Sequence, residues 1–182
     1  MKTSLQYSDM KKDYSQFLTN YPDFPAPGVL FRDMSPLLFD VETRDEIMDT
    51  FGEFMREKNI DAIAGVDARG FILWGMLAER YHLPFIMLRK DGKLPDALVA
   101  KASYSYEYSS ATLTIRKDML SGQRVLVIDD VLATGGTLGA ALKLVKDNGA
   151  SEVFGGVLIE ITPLRGREIL SDYEIFSAIQ FS

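Results

Sequence analysis

The sequence predicts an α/β fold, with a mostly parallel central sheet flanked by helices and a small N-terminal cap. Two observations lead to this prediction. From residue 43 onward, short apolar runs typical of buried strands alternate with amphipathic helical patterns, and this alternation favours a parallel sheet covered on both faces. Residues 20–40 carry four prolines and one glycine and do not fit the alternation. We interpret them as a separate cap of irregular chain rather than helix.

Hydrophobic periodicity predicts each element in turn. Residues 5–18 favour a short helix, and the apolar spacing within residues 43–58 predicts a longer one. Further helices should begin near Gly70 and near Gly136, the latter burying one side chain per turn. Core strands are expected at residues 60–66, 84–88, 124–128, 151–161 and 174–178. Residues 103–116 are rich in tyrosine and serine, and we interpret them as two short strands flanking a mobile connection.

Composition limits the possible functions. The length of 182 residues suits a single domain over residues 1–182. The chain has no cysteine, which excludes disulfides, thiolate nucleophiles and cysteine-based zinc sites. No apolar run approaches the ~18 residues that span a membrane, and the N-terminus lacks a secretory pattern. We therefore expect a cytoplasmic protein with no membrane partner. The net charge of −6 argues against nucleic acid as a partner.

The stretch VLVIDDVLATGGT, residues 125–137, carries the clearest chemistry. A buried strand leads to Asp129 and Asp130, and a glycine turn then opens a helix. Ligands of such sheets bind at the carboxyl ends of the strands. The N–H groups of a glycine turn at a helix N-terminus favour a phosphate, whereas paired carboxylates suit sugar hydroxyls and a magnesium ion, directly or through water. The combination predicts a site for a ribose phosphate.

This stretch resembles the phosphoribosyl diphosphate (PRPP) binding motif of type I phosphoribosyltransferases. Four further segments, in matching order, resemble the adenine phosphoribosyltransferase family: PDFPAPGVLFRDMSPLL at 22–38, VDARGF at 66–71, RKDGKLP at 89–95 and YSYEYSS at 104–110. The resemblance implies a type I phosphoribosyltransferase fold in which residues 20–40 form the base-binding cap. It also implies a purine salvage enzyme that joins PRPP and adenine to give AMP and pyrophosphate.

The resemblance further implies roles for individual residues. Those expected to hold the ribose and its 5-phosphate are Asp129, Asp130, Ala133, Thr134, Gly135, Gly136 and Thr137. Those expected to bind pyrophosphate are Asp67, Ala68, Arg69, Gly70, Arg89, Lys90 and Lys93. Those expected to contact adenine are Val29, Phe31, Arg32 and Leu164. Those expected to be catalytic are Glu107, Tyr108 and Arg69, with Glu107 exchanging a proton with adenine N7 and Tyr108 helping to close the site.

The resemblance also implies Mg²⁺ as a cofactor, bound through PRPP and water without a direct protein ligand, and a homodimer. Several alternatives stay open at this point. Taken singly, the basic cluster around Arg89 could be a solvated turn. Glu107 and Tyr108 could belong to a surface hairpin, and Phe31 and Leu164 could serve only in packing. The substrate could be another purine, such as hypoxanthine or xanthine. The protein could also be a PRPP-sensing regulator, although the chain contains no basic helix for DNA. A purely structural protein of the same fold is the last alternative.

Overall fold

The computed structural model describes residues 14–24, 26–28, 31–105 and 110–181. The chain forms two compact units, one up to Ile47 and one from Met48 onward. The single domain expected from the length stays a prediction.

The N-terminal unit contains a two-stranded antiparallel sheet, in which β1 (Thr19–Tyr21) pairs with β2 (Phe31–Asp33). One turn of 3-10 helix, Tyr14–Phe17, precedes it. This turn is the described part of the helix expected at residues 5–18, because residues 5–13 lie outside the described ranges. The rings of Phe24 and Phe31 meet edge to face, with their centroids 5.3 Å apart.

The expectation that residues 20–40 contain no helix is wrong at one place. α1 (Ser35–Phe39) is a short helix with Pro36 in its first turn. A proline fits there because the first N–H groups of a helix have no intrahelical acceptor to lose. Asp33 supports the turn, since its Oδ1 accepts a hydrogen bond of 2.9 Å from the Ser35 N–H. Proline density therefore misleads where a proline stands at a helix start.

The second unit is centred on a sheet of seven strands. They are β3 (Ala62–Val66), β4 (Phe85–Lys90), β5 (Val99–Ser105), β6 (Ser110–Arg116), β7 (Arg124–Leu132), β8 (Glu152–Ile161) and β9 (Ile175–Phe181). Their order in the sheet is β5-β6-β4-β3-β7-β8-β9. The five strands from β4 to β9 in that order are parallel, and β5 and β6 form an antiparallel hairpin attached to β4. The predicted mostly parallel sheet is confirmed.

Four helices accompany the sheet: α2 (Val41–Glu57), α3 (Gly70–Tyr81), α4 (Gly136–Asp147) and the short α5 (Gly166–Ile169). Alternate side chains of β7 point to opposite faces of the sheet. Leu126 and Ile128 share one face with Phe51 of α2, and all three side chains approach Gly156 of β8. Phe51 also contacts Trp74 of α3, with ring centroids 4.9 Å apart.

The opposite face of β7 carries Val125 and Val127. Both belong to a buried cluster with Leu138, Leu142 and Val145 of α4, the three side chains that helical spacing predicts to be buried. Helices therefore cover both faces, as a parallel sheet requires. Among the described residues, no helix has the length and apolar character needed to cross a membrane.

Candidate active site

Asp129 and Asp130 lie in the last part of β7. The sequence predicted that this strand ends at Ile128, but it continues to Leu132. The reason is that pairing with β3 stops at Ile128, whereas pairing with β8 continues to Leu132. The two acids therefore lie inside β7, in the part of the strand that pairs with β8 but no longer with β3. This part is at the carboxyl end of the sheet, as expected.

The two carboxylates have different surroundings. Asp129 is only 7% exposed, and its Oδ1 accepts a hydrogen bond of 2.9 Å from the Asp130 N–H. Asp130 Oδ1 accepts one of 3.0 Å from the Val131 N–H. Burial, and then the neighbouring charge of Asp130, raise the pKa of Asp129 well above that of an ordinary aspartate. A ligand that supplies hydroxyl donors or a cation at this edge would lower the cost of that buried charge.

The turn after β7 surrounds a small cavity of about 60 Å³, lined by residues 131–138. Gly135 precedes α4 with φ of +88°, a conformation that side-chain-bearing residues rarely adopt. The N-terminus of a helix favours an anion, because its first N–H groups have no helical carbonyl before them and the positive end of the helix dipole lies there. Ala133, Thr134, Gly135, Gly136 and Thr137, predicted as a phosphate site, all line this cavity.

The segment after β3 forms a second loop at the same edge of the sheet. The peptide bond between Asp67 and Ala68 is cis, and Arg69 and Gly70 lead directly into α3. Asp67 Oδ2 accepts hydrogen bonds of 3.0 Å from Arg89 Nε and 3.4 Å from the Lys90 N–H. This loop is thereby held to the end of β4.

Arg69 links this loop to the acidic pair on β7. Its Nε lies 2.8 Å from Asp130 Oδ2, but the approach is not aligned as a hydrogen bond, and Oδ2 has no hydrogen-bond partner among the described residues. The contact is therefore an ion pair. Together with the hydrogen bond between Asp67 and Arg89, this ion pair brings together predicted residues from the ends of β3, β4 and β7, three neighbouring strands.

The remaining predicted residues belong to other elements or fall outside the described residues. Lys93 is exposed on the turn after β4. Phe31 and Arg32 lie on β2 of the N-terminal unit, and Leu164 lies on the 3-10 turn Thr162–Leu164 after β8, where it is 48% exposed. Val29, Glu107 and Tyr108 fall outside the described residues.

Comparisons with known proteins agree with this geometry. Residues 42–181 match the family described as Phosphoribosyl transferase domain. A relative from Nitrosopumilus maritimus, named adenine phosphoribosyltransferase, is 45% identical over 165 residues, which are 90% of this chain and 96% of that protein. The chain belongs to the adenine phosphoribosyltransferases. Enzymes of this family act in purine salvage: they transfer the phosphoribosyl group of PRPP to adenine, which gives AMP and pyrophosphate.

Solved adenine phosphoribosyltransferases have the same fold. The crystal structure from Thermoanaerobacter pseudethanolicus superposes with a TM-score of 0.86 at 38% identity and covers 92% of this chain and 97% of that one. The enzyme from Giardia lamblia, crystallised with 9-deazaadenine, gives a TM-score of 0.86 at 34% identity and covers 98% and 99%. The fold class and the family expected from the sequence motifs are both confirmed.

Sequence reasoning missed one group of residues beside the turn that follows β7 in this phosphoribosyltransferase. Glu160, buried at the end of β8, accepts hydrogen bonds from Arg167 of α5 and from Ser177 of β9. The one available indication was the acid itself, which interrupts the apolar run GVLIEI of β8. No local spacing connects Glu160 with Ser177, because they meet only through the pairing of two strands.

Proposed function

We propose that this enzyme forms AMP from adenine and PRPP at the edge of the sheet where β3, β4 and β7 end. Adenine N9 attacks the anomeric carbon of PRPP. The new N9–C1 bond forms, the bond from C1 to the pyrophosphate oxygen breaks, and pyrophosphate leaves with the bonding electrons. The observation that carries the proposal is the 2.8 Å ion pair between Arg69 and Asp130, because it joins the pyrophosphate loop to the ribose aspartates.

The 5-phosphate of PRPP is assigned to the turn that leads into α4. A phosphate there meets the N–H groups of residues 133–137 and the positive end of the helix dipole. The hydroxyls of Thr134 and Thr137 add donors. With the phosphate in this turn, the ribose diol comes to Asp129 and Asp130, whose carboxylate oxygens accept hydrogen bonds from hydroxyl groups.

The pyrophosphate group is assigned to the loop after β3 and to the cations of β4 and the following turn. Arg69 supplies a forked donor, which matches phosphate oxygens better than a point charge. Arg89, Lys90 and Lys93 add positive charge that stabilises the departing pyrophosphate. Asp67 has a supporting role, since its carboxylate holds Arg89 through a 3.0 Å hydrogen bond.

The base is assigned to Val29, Phe31, Arg32 and Leu164 on the strength of the family resemblance. An aromatic ring such as Phe31 stacks well on a purine. Glu107 is the proton acceptor: adenine that carries its proton on N7 has a free lone pair on N9, and the N7 proton passes to the Glu107 carboxylate as the N9–C1 bond forms. Tyr108 helps to exclude water from the reacting centre.

Magnesium is proposed to enter with PRPP. The residues of this edge fit the ion, because carboxylate oxygens are the hard ligands that it prefers and the buried Asp129 and its neighbour Asp130 have Arg69 as the one cation that contacts the pair among the described residues. Asp129 and Asp130 would hold the ion through water when it enters with PRPP. When bound, the ion neutralises negative charge on the diphosphate.

We also propose that the enzyme is a homodimer in the cytoplasm. The dimer rests on the family resemblance, and the compartment on the same resemblance together with the cysteine-free composition, which suits a reducing environment. Sedimentation velocity at two protein concentrations tests the dimer: one species of twice the 20.4 kDa chain mass is expected. A single species of chain mass at both concentrations would contradict it.

The proposed reaction is tested by a base panel. The enzyme is incubated with PRPP, Mg²⁺ and, in parallel, adenine, hypoxanthine, xanthine or guanine, and both nucleotide and pyrophosphate are measured. We expect AMP and pyrophosphate in equal amounts with adenine, and less than about one hundredth of that kcat/KM with the 6-oxo purines. Faster turnover of a 6-oxo purine would assign the enzyme to another purine, and PRPP binding without any turnover would indicate a sensing role.

A further inference from the structure

The phosphate turn is packed directly against a second backbone segment. A Cβ built on Gly135 would lie 2.7 Å from the carbonyl oxygen of Gly166. A Cβ built on Gly166 would overlap the carbonyl oxygen of Ala133 and would lie 2.9 Å from the Gly135 nitrogen. The two glycines therefore meet backbone to backbone, and neither position has room for a side chain. The start of α5 forms the back wall of the turn.

The next residue, Arg167, fastens α5 to the sheet. Its Nε and Nη2 donate to Glu160 Oε1 and Oε2 at 3.0 and 2.5 Å. Its Nη1 donates to the Ile175 carbonyl at 2.7 Å, and its Nη2 also reaches Ser177 Oγ at 2.7 Å. One guanidinium thus spans α5, β8 and β9, using the planar fork that only arginine offers.

The hydrogen bonds of Arg167 lie next to β7, the strand that leads into the phosphate turn. Glu160 is the register partner of Leu132, the residue immediately before Ala133. Glu160 is also 5% exposed, and the catalytic steps proposed above do not use it. Leu170 extends the contact to α4, because a Cβ on Gly139 would lie 3.1 Å from its Cδ2.

We propose that Arg167 is a positioning residue for the phosphate turn. Through Glu160 and Ser177 it holds Gly166 against Ala133 and Gly135, and so sets the direction of the N–H groups that receive the 5-phosphate. This inference rests on the proposed function, in which that turn binds the 5-phosphate of PRPP and AMP. A site of this kind needs its supporting contacts, since a displacement of about 1 Å is enough to impair it.

The test compares ligands with and without the phosphate. AMP and adenosine binding are measured by calorimetry for the native enzyme and for Arg167→Lys, which keeps the charge but loses the fork. We expect AMP to bind about tenfold more weakly to the variant and adenosine to bind within about twofold of native. In turnover assays, KM for PRPP should rise by a similar factor while kcat changes by less than about twofold, because the phosphate contacts are the same in ground and transition states.

The matched control is Arg124→Lys. Arg124 forms the corresponding pair with Glu152 at the other end of β7 and β8, with Nη1 and Oε1 2.5 Å apart. A loss of general stability should appear in both variants, whereas selective loss of AMP binding should appear only in Arg167→Lys. If Arg167→Lys fails to fold, the double variant Glu160→Gln with Arg167→Met removes both charges together and should give the same selective loss.

Unchanged AMP affinity in a folded variant, or equal weakening of AMP and adenosine, would overturn the positioning role. If the native enzyme forms AMP and the variant gives either of these results, the proposed function stands and the positioning role of Arg167 is wrong. A native enzyme that neither binds nor forms AMP would instead refute the function on which the inference rests.

Discussion

Arg69 Nε lies 2.8 Å from Asp130 Oδ2, and this ion pair joins the loop after β3 to the acidic end of β7. Asp130 Oδ2 is buried and has no hydrogen-bond partner among the described residues, so the Arg69 guanidinium is its compensating charge. PRPP carries its diphosphate and its ribose diol on adjacent atoms, so a site for it needs a cationic loop and an acidic pair side by side.

Replacing Asp129 and Asp130 by asparagine together should lower kcat/KM by about a hundredfold or more, since two charge-assisted contacts to the ribose are lost. The control is Asp147→Asn, which changes an exposed acid paired with Lys143 at the end of α4 and should leave activity unchanged. Near-native turnover of the double variant would mean that the two acids only complete a turn.

Asp129→Asn alone should raise stability. The pKa of Asp129 is raised in the folded protein from 3.8, so the folded state holds its proton more tightly than the unfolded chain, and stability falls as pH rises above about 4. Asparagine has no such charge, and we expect the variant to be more stable by about 1–3 kcal/mol at pH 7 and equal to native near pH 3. Urea unfolding at both pH values measures the free energy of unfolding of each protein. A variant that is less stable than native at pH 7 would refute the claim that burying the Asp129 charge destabilises the fold.

Gly135→Ala should weaken PRPP binding strongly. Its φ of +88° strains any side chain, and its Cβ would lie 2.7 Å from the Gly166 carbonyl. Gly122→Ala is the matched control, because Gly122 has φ of +76° but open space around its Cβ position. Strain alone should cost both variants about 1 kcal/mol of stability. Only Gly135→Ala should raise KM for PRPP, by about tenfold or more. A KM for PRPP that is the same in Gly135→Ala and Gly122→Ala would refute the phosphate assignment of the turn.

Glu107→Gln should lower kcat by about 10²–10⁴-fold, because glutamine cannot accept the N7 proton. PRPP affinity should stay near native, since other residues are assigned to the diphosphate and the 5-phosphate. Presteady-state AMP formation and equilibrium PRPP binding separate the two effects. A variant that keeps its turnover number but loses PRPP affinity would move Glu107 from proton transfer to substrate binding.

The Glu160 network should give the protein an acid-sensitive component of stability. Burial alone would raise the pKa of Glu160, but hydrogen bonds from Arg167 and then Ser177 outweigh it and hold the pKa below 4.5. A lowered folded pKa contributes stability above the unfolded value that is lost as pH falls through the folded one. Glu160→Gln should therefore be about 1–3 kcal/mol less stable than native at pH 7, with a smaller difference below pH of about 4. A pH-independent difference would contradict this.

The parts of the fold and site that the sequence predicts are the local ones. Asp129, Asp130 and the glycine turn follow one another along the chain, so a motif identifies them and the alternation of elements locates them at the sheet edge. The end of β7 was misjudged because pairing with β8 alone carries the strand past two charged residues to Leu132. The positions of charged residues in a sequence do not show which of two neighbouring strands continues to pair beyond them.

The contacts that sequence could not predict are those between distant segments. Gly166 and Gly135 meet only when α5 folds back over the turn, and Arg167 finds Glu160 and Ser177 on two different strands. Neither pair leaves a periodic pattern, because each depends on the packing of α5 against the sheet. Proline content misleads at α1 for a different reason: a proline breaks the interior of a helix, but Pro36 occupies a helix start.

We propose that the turn between β7 and α4 binds the 5-phosphate of the substrate. A crystal structure of the enzyme with AMP tests it most directly. We predict phosphate oxygens within about 3.2 Å of backbone nitrogens of residues 133–137 and the ribose hydroxyls at Asp129 and Asp130. A phosphate bound instead by Arg89, Lys90 and Lys93, with the turn after β7 empty of ligand, would contradict the assignment.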